Sequence, residues 1–209
     1  MGVQINPNAP TGLCLPLSDI ERILESNPDN VVIIDEAYID FGGESALKLI
    51  PNYDNLLVVQ TFSKSRSMAG ARLGFGAGNA KLIQDLNTIK YSTNPYNVNR
   101  MTMAAGVGAL EADGYFRVNC QKIMENRAWT TGKLEELGFE VIPSMANFVF
   151  AKHAAIPGKD LYLALREKGI LVRHFDKIRL RDYNRITIGS REQMKAFIRV
   201  LTEILEVSP

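Results

Sequence analysis

Apolar residues fall along this chain in short blocks separated by polar and turn-forming runs. Val31-Val32-Ile33-Ile34 is continuously apolar, the texture of a parallel strand covered on both faces. Residues 56–60 read as a second strand and residues 73–76 as a third. Ser18-Asp19-Ile20-Glu21 has the form of a capping box and predicts a helix to about Glu25, stopped by Asn27-Pro28-Asp29-Asn30. The first twelve residues, which include Asn6-Pro7-Asn8-Ala9-Pro10-Thr11-Gly12, predict a loop. Helices are expected over 80–89, 97–111 and 115–137; in the last, Val118, Ile123, Ala128 and Leu134 recur at roughly helical spacing. After Gly138 the elements shorten. Strands are expected at 140–142, 148–151, 170–173 and 185–188, with helices over 159–168 and 191–205. Ser190-Arg191-Glu192-Gln193 forms a second capping box before the last helix.

Alternating strand, helix and loop predict an α/β layer. The change of texture places a domain boundary near residues 112–125, giving one domain over 1–115 and a smaller α+β domain over 116–209. The 209 residues carry a net charge of +1, with 46% apolar and 22% charged residues, so neither a nucleic-acid nor a membrane surface is implied. No apolar run approaches the length of a membrane span, and Met1-Gly2-Val3 predicts no signal peptide. Cys14 and Cys120 are far apart and predict two free thiols in a reduced, cytoplasmic chain. His153 and His174 alone do not make a histidine-rich metal site.

The chemistry concentrates around Thr61-Phe62-Ser63-Lys64, with Arg72 eight residues beyond the lysine. Upstream, the first apolar strand ends on Asp35, with Tyr38 three residues later. An amine, two hydroxyls, a guanidinium, a carboxylate and a phenol therefore cluster around strand ends. Pyridoxal phosphate needs such a set: an amine for its aldehyde, donors for its phosphate, an anion for its ring nitrogen and a donor for its ring hydroxyl. Each residue has a plainer reading. Lys64 could be a solvated charge, although its crowding by Ser63, Ser65 and Arg66 predicts partial desolvation and a more nucleophilic amine. Arg72 could be a rim ion-pair partner, and the Thr61 and Ser63 hydroxyls could serve local backbone groups. Asp35, at the end of an apolar strand, requires a partner: a backbone amide, a nearby arginine or the ring nitrogen.

Taken in order, Asn6-Pro7-Asn8-Ala9-Pro10-Thr11-Gly12, Asp35-Glu36-Ala37-Tyr38 and Thr61-Phe62-Ser63-Lys64 with Arg72 resemble the motifs of fold-type I pyridoxal-phosphate aminotransferases. Asp35-Glu36-Ala37-Tyr38-Ile39-Asp40-Phe41, Arg72-Leu73-Gly74-Phe75-Gly76 and Arg185-Ile186-Thr187-Ile188-Gly189-Ser190-Arg191-Glu192 are most similar to the wording of the histidinol-phosphate aminotransferases. The resemblance runs from Asn6 to the end. It implies part of a large cofactor-binding domain with a parallel or mixed sheet, followed by a small C-terminal α+β domain.

The resemblance also implies roles. Lys64 matches the lysine that bonds the cofactor aldehyde, Asp35 the partner of the ring nitrogen, and Tyr38 the donor to the ring hydroxyl. Thr61, Ser63 and Arg72 match the phosphate group. Arg173 and Arg185 match arginines that grip the substrate phosphate, and Asn147 an asparagine near the substrate. From the residues alone, these last three are strand-end arginines and a turn residue. The asparagine that often bonds the ring hydroxyl falls at Ala9, which leaves Asn8 as the neighbouring candidate.

The implied reaction moves an amino group between histidinol phosphate and 2-oxoglutarate, giving imidazole-acetol phosphate and glutamate in histidine biosynthesis, in a homodimer or higher assembly. The resemblance further implies that the N-terminal part of such an enzyme is missing, with its glycine-rich turn and stacking aromatic. A chain lacking these is expected to self-associate and to be poorly active alone. Two alternatives are a non-catalytic remnant or partial subunit, and a decarboxylase of the same fold acting on a phosphorylated amino acid such as threonine phosphate.

Overall fold

The computed structural model describes residues 2–207. The chain divides into two units at Asn119 and Cys120, and the short segment Ala9–Leu13 groups with the second. Within that second unit the Met145 N–H donates to the Gly12 carbonyl at 2.9 Å. Gly12 holds φ +83°, and a Cβ there would lie 2.2 Å from Ser144 Oγ, so only glycine fits the turn.

The first unit is built on a four-stranded sheet in spatial order β1 (Gly2–Ile5), β2 (Val32–Asp35), β3 (Leu56–Thr61) and β4 (Gly74–Gly78). The first three strands are parallel; β4 returns antiparallel to β3, pairing Thr61 with Gly74. The loop expected over the first twelve residues is therefore shorter than the sequence predicts. Residues 2–5 form β1, whose backbone pairs with β2; Gly2-Val3-Gln4-Ile5 is not a continuous apolar run and carries no strand signal by itself. In β4, a Cβ at Gly74 would approach the Gln60 carbonyl at 2.8 Å, so the glycine permits the close pairing.

Helix α1 (Leu17–Glu25) starts one residue earlier than its expected cap. Pro16 takes the cap position, its carbonyl accepting from the Asp19 and Ile20 amides, so Ser18 lies inside the first turn and caps nothing. The apolar face of α1 supplies Ile20 and Leu24 to a core with Val32, Ile34, Ala46, Leu49, Leu56 and Val58. Helices α2 (Ala80–Thr93) and α3 (Arg100–Glu111) follow, and α4 (Asp113–Glu136) runs through the division between the units. In this unit α2 and α3 leave large apolar side chains exposed, among them Leu86, Ile89, Met101, Met103, Val107 and Leu110.

The second unit carries an antiparallel sheet in the order β5-β6-β8-β7, formed by β5 (Phe139–Ile142), β6 (Phe148–His153), β7 (Arg173–His174) and β8 (Asn184–Thr187). Helices α5 (Gly158–Glu167) and α6 (Arg191–Val207) close its core, with Leu134, Val149, Leu161, Leu165, Ile186, Phe197 and Leu201 buried together. The strand expected over 170–173 shrinks to β7. Gly169 at φ +78° ends α5, and the Gly169 and Ile170 amides donate back to Arg166 and Leu165, which takes those residues out of the ladder. The box before α6 forms as expected: Ser190 N–H donates to Gln193 Oε1 at 2.8 Å, and Gln193 N–H donates to Ser190 Oγ at 3.3 Å. Among the described residues, no helix is long and apolar enough to cross a membrane.

Candidate active site

Because β1, β2 and β3 are parallel and in register, their carboxyl ends lie along one edge of the first sheet. Asp35 ends β2, Thr61 ends β3, and Lys64 follows three residues on. Ligands of open α/β sheets bind outside this edge. A cavity of about 510 Å³ opens here, lined by Asp35, Thr61, Ser63, Lys64 and Arg72 together with Gln60, Leu73, Gly74 and small neighbours. Five of the residues singled out from the sequence are thus brought around one space. Tyr38 and Asn8 are not in its lining. The Tyr38 ring lies 5.4 Å from Lys64 Nζ, and Asn8 follows β1 in the same unit.

Each side chain is held locally. Asp35 accepts from the Ala37 amide at 3.1 Å, so the partner its carboxylate requires is supplied in part by backbone. Thr61 Oγ1 accepts from the Ser63 amide at 3.1 Å and donates to the Leu73 carbonyl at 3.4 Å. That bond ties the start of the Lys64 segment to its return strand. Arg72 sits at φ 54°, in the left-handed region, and its Nη1 donates to the Ala69 carbonyl at 2.9 Å. Lys64 is exposed, which corrects the expected desolvation: its neighbours Ser65 and Arg66 turn into the protein and leave the amine free toward the cavity.

Three features escaped the sequence reading. Glu36 is fully buried beside Asp35. It accepts from Ser45 Oγ at 2.6 Å, the Ala46 amide at 2.6 Å and Gln60 Nε2 at 2.8 Å. Burial raises its pKa above the ordinary carboxylate value, against these three donors, and the Asp40 charge adds to the rise. Arg66 donates to the Ala109 carbonyl at 2.6 Å, and its guanidinium stands 3.9 Å from the centre of the Phe116 ring. Asn6 is buried and brackets Leu15, accepting its amide at 2.7 Å and donating to its carbonyl at 3.3 Å.

The second unit holds the other three candidates. Arg173 and Arg185 are register partners on β7 and β8, so their side chains share a sheet face. That face is aromatic: the Arg185 guanidinium lies 5.0 Å from Phe148 and 5.9 Å from Phe175, and that of Arg173 lies 5.5 Å from Phe175. Among the described residues, Arg185 Nε is buried without a hydrogen-bond partner. Asn147 sits in the bend before β6, its carbonyl accepting from the Ile188 amide. Arg127, half-buried, steadies the same bend through the Ala146 carbonyl at 2.7 Å. Among the described residues no cluster of His, Cys, Asp or Glu could hold a metal ion.

A mixed sheet that gathers a lysine, a guanidinium and hydroxyls at its carboxyl edge, followed by a separate antiparallel unit, is the architecture of the fold-type I pyridoxal-phosphate transferases. Solved structures bear this out. The chain is similar to the crystal structure of the histidinol-phosphate aminotransferase from Clostridium acetobutylicum, with a TM-score of 0.90 at 29% identity, covering 98% of this chain and 63% of that one. It is also similar to L-threonine-O-3-phosphate decarboxylase from Porphyromonas gingivalis, with a TM-score of 0.84 at 27% identity, covering 98% and 64%. The chain belongs to the family described as aminotransferase class I and II, whose profile matches residues 3–201. In sequence it is 53% identical, over 202 residues, to the histidinol-phosphate aminotransferase of Brachyspira hyodysenteriae, covering 96% of this chain and 57% of that relative. The chain thus spans little more than half the length of the curated relatives it matches.

Proposed function

We propose that these residues form the lysine-bearing part of a pyridoxal-phosphate-dependent aminotransferase that moves an amino group from histidinol phosphate to 2-oxoglutarate. The observation that carries the reading is the cavity at the sheet edge: its amine, carboxylate, hydroxyls and guanidinium match the groups of pyridoxal phosphate one for one. Lys64 would bond the aldehyde, Asp35 the ring nitrogen, and Arg72, Thr61 and Ser63 the phosphate. Tyr38 would donate to the ring hydroxyl, with Asn8 as a second donor. Bound, the cofactor supplies a cationic conjugated ring that withdraws electrons from the substrate α carbon. The Asp35 carboxylate keeps the proton on the ring nitrogen. Lys64 Nζ takes the proton from the α carbon, and its exposure toward the cavity leaves it free to do so.

Substrate choice rests on the second unit. Arg173 and Arg185 present two guanidinium groups on an aromatic floor, which suits the anionic phosphate ester of the substrate. Asn147 is the polar group proposed to contact the remaining substrate. The identity to histidinol-phosphate aminotransferases supports histidinol phosphate over other phosphorylated amines. In this reading residues 1–115 belong to the cofactor domain and 116–209 to the small domain. The protein works in the cytoplasm, in histidine biosynthesis, as a homodimer or larger self-assembly; the exposed apolar side chains of α3 support self-association.

The test is glutamate formation from histidinol phosphate and 2-oxoglutarate by purified protein carrying this chain, beside carbon dioxide release from threonine phosphate. Transfer without decarboxylation supports the reading. Decarboxylation alone would move the protein to the phospho-amino-acid decarboxylases, whose fold it shares. Neither reaction would favour a non-catalytic role.

A further inference from the structure

We infer that Asp40 and Ser65 are a positioning pair for Lys64. The inference rests on the role of Lys64 proposed above. Ser65, the residue after the lysine, is buried, and its hydroxyl donates to Asp40 Oδ2 at 2.5 Å across 25 residues of sequence. Among the described residues Asp40 is in no ion pair, and Ser65 is its hydrogen-bond partner.

The position of this bond gives it consequence. Asp40 lies in a 3-10 turn, Ile39–Phe41, whose two flanking side chains are buried. The same loop carries Asp35 and Tyr38, so it is a firm element of the proposed site. Lys64 is the opposite case. Its side chain is exposed, and its turn is closed by local backbone bonds from the Ser67 amide to the Lys64 carbonyl and from the Met68 amide to the Phe62 carbonyl. Ser67 stands at φ 56°, a conformation that a serine backbone does not hold without support. One charged acceptor therefore fastens a weakly self-supported turn to the segment bearing the ring-nitrogen and ring-hydroxyl partners. Arg66 fixes the next residue to a different segment through Ala109 and Phe116, so the Asp40 bond sets the turn against the cofactor loop while Arg66 sets its other side. The carboxylate has an electrostatic cost, because it adds to the upward pressure on the buried Glu36 pKa. A neutral acceptor would satisfy Ser65 without that cost.

The pair is tested with Ser65→Ala, Asp40→Ala, their double variant and Asp40→Asn, in the protein as purified. Two measurements are made. The first is hydrogen exchange at the Ser67 and Met68 amides, which needs no cofactor. The second is the rate at which added pyridoxal phosphate becomes fixed to Lys64 by borohydride, set against the affinity for inorganic phosphate. Loss of the bond is expected to make exchange about tenfold faster and capture about tenfold slower in either single alanine variant. Phosphate affinity stays level, because Arg72 and Thr61 are untouched. The double variant matches the singles, since all three remove one bond. Asp40→Asn, which still accepts from Ser65, recovers to within about threefold of the parent.

Unchanged exchange overturns the pair. Faster exchange with unchanged capture makes Ser65 a packing residue only and overturns its positioning role. Effects that multiply in the double variant separate the two residues and do the same. A parent protein that fixes no pyridoxal phosphate at Lys64 would instead refute the cofactor reading, and exchange would still decide whether the latch exists.

Discussion

Arg173 and Arg185 face each other across β7 and β8, and the Phe175 ring lies within 6 Å of both guanidinium groups, at 5.5 and 5.9 Å. Two like charges on one sheet face repel, and a dianion between them removes that cost. Arg185 is the more enclosed and has a buried Nε without a partner; Arg173 is exposed. Arg185→Ala should therefore cost phosphorylated substrate about 2–4 kcal/mol of binding, and Arg173→Ala roughly 1 kcal/mol. Binding of histidinol, which lacks the phosphate, should change little in either variant. Equal losses for both ligands would remove the phosphate from these arginines.

Lys64→Ala should abolish the covalent capture of pyridoxal phosphate, and Lys64→Arg should not restore it, because a guanidinium does not condense with an aldehyde. Folding should be unaffected, since the side chain is exposed. Borohydride reduction followed by peptide mapping checks the site. Label on any other lysine would displace Lys64 from its role.

Asp35→Asn keeps the acceptor that the Ala37 amide uses, so the unfolding transition should stay where it is. An amide cannot keep a ring nitrogen protonated, so cofactor binding should persist in part while turnover falls by roughly two orders of magnitude or more. Near-normal turnover would assign Asp35 to the backbone alone.

The residues proposed to hold the cofactor were legible because they sit at the ends of unmixed apolar runs. Val31-Val32-Ile33-Ile34 and residues 56–60 locate β2 and β3, and a chain with two parallel strands must present Asp35 and Thr61 at one edge. What failed had a mixed texture or depended on distant partners. Gly2-Val3-Gln4-Ile5 is not a continuous apolar run and becomes β1 only against β2. Ser18 looks like a cap until Pro16 takes that place. Residues 170–172 have strand composition, yet after Gly169 the Ile170 amide is committed to ending α5. The polar bonds from Asp40 to Ser65 and from Glu36 to Gln60 join positions 25 and 24 residues apart. No periodicity marks such pairs. The exposure of Lys64 was hidden for the same reason, since it follows from where Ser65 and Arg66 find their partners.

Glu36 gives the fold a distinctive pH response. Its carboxylate is buried at the back of Asp35, where desolvation outweighs the donors from Ser45, Ala46 and Gln60 and raises the pKa above the ordinary glutamate value near 4.5. A group with a raised folded-state pKa holds its proton more tightly in the native than in the unfolded chain. Its contribution to stability is thus complete below the ordinary value and is lost as pH rises through the folded-state pKa. Glu36→Gln removes the titration while keeping one acceptor and converting the other to a donor that Ser45 or a reoriented Gln60 can accept. The variant should therefore lose the parent's decline in stability in the range just above pH 4.5, as read from denaturant midpoints at a series of pH values. Glu36→Ala should instead cost about 2–3 kcal/mol at every pH, because the Ala46 amide and its neighbours are left buried without an acceptor. A parallel pH profile for parent and Glu36→Gln would mean that the carboxylate is ionised in the folded protein at the ordinary pH, and that its three donors prevail over its burial.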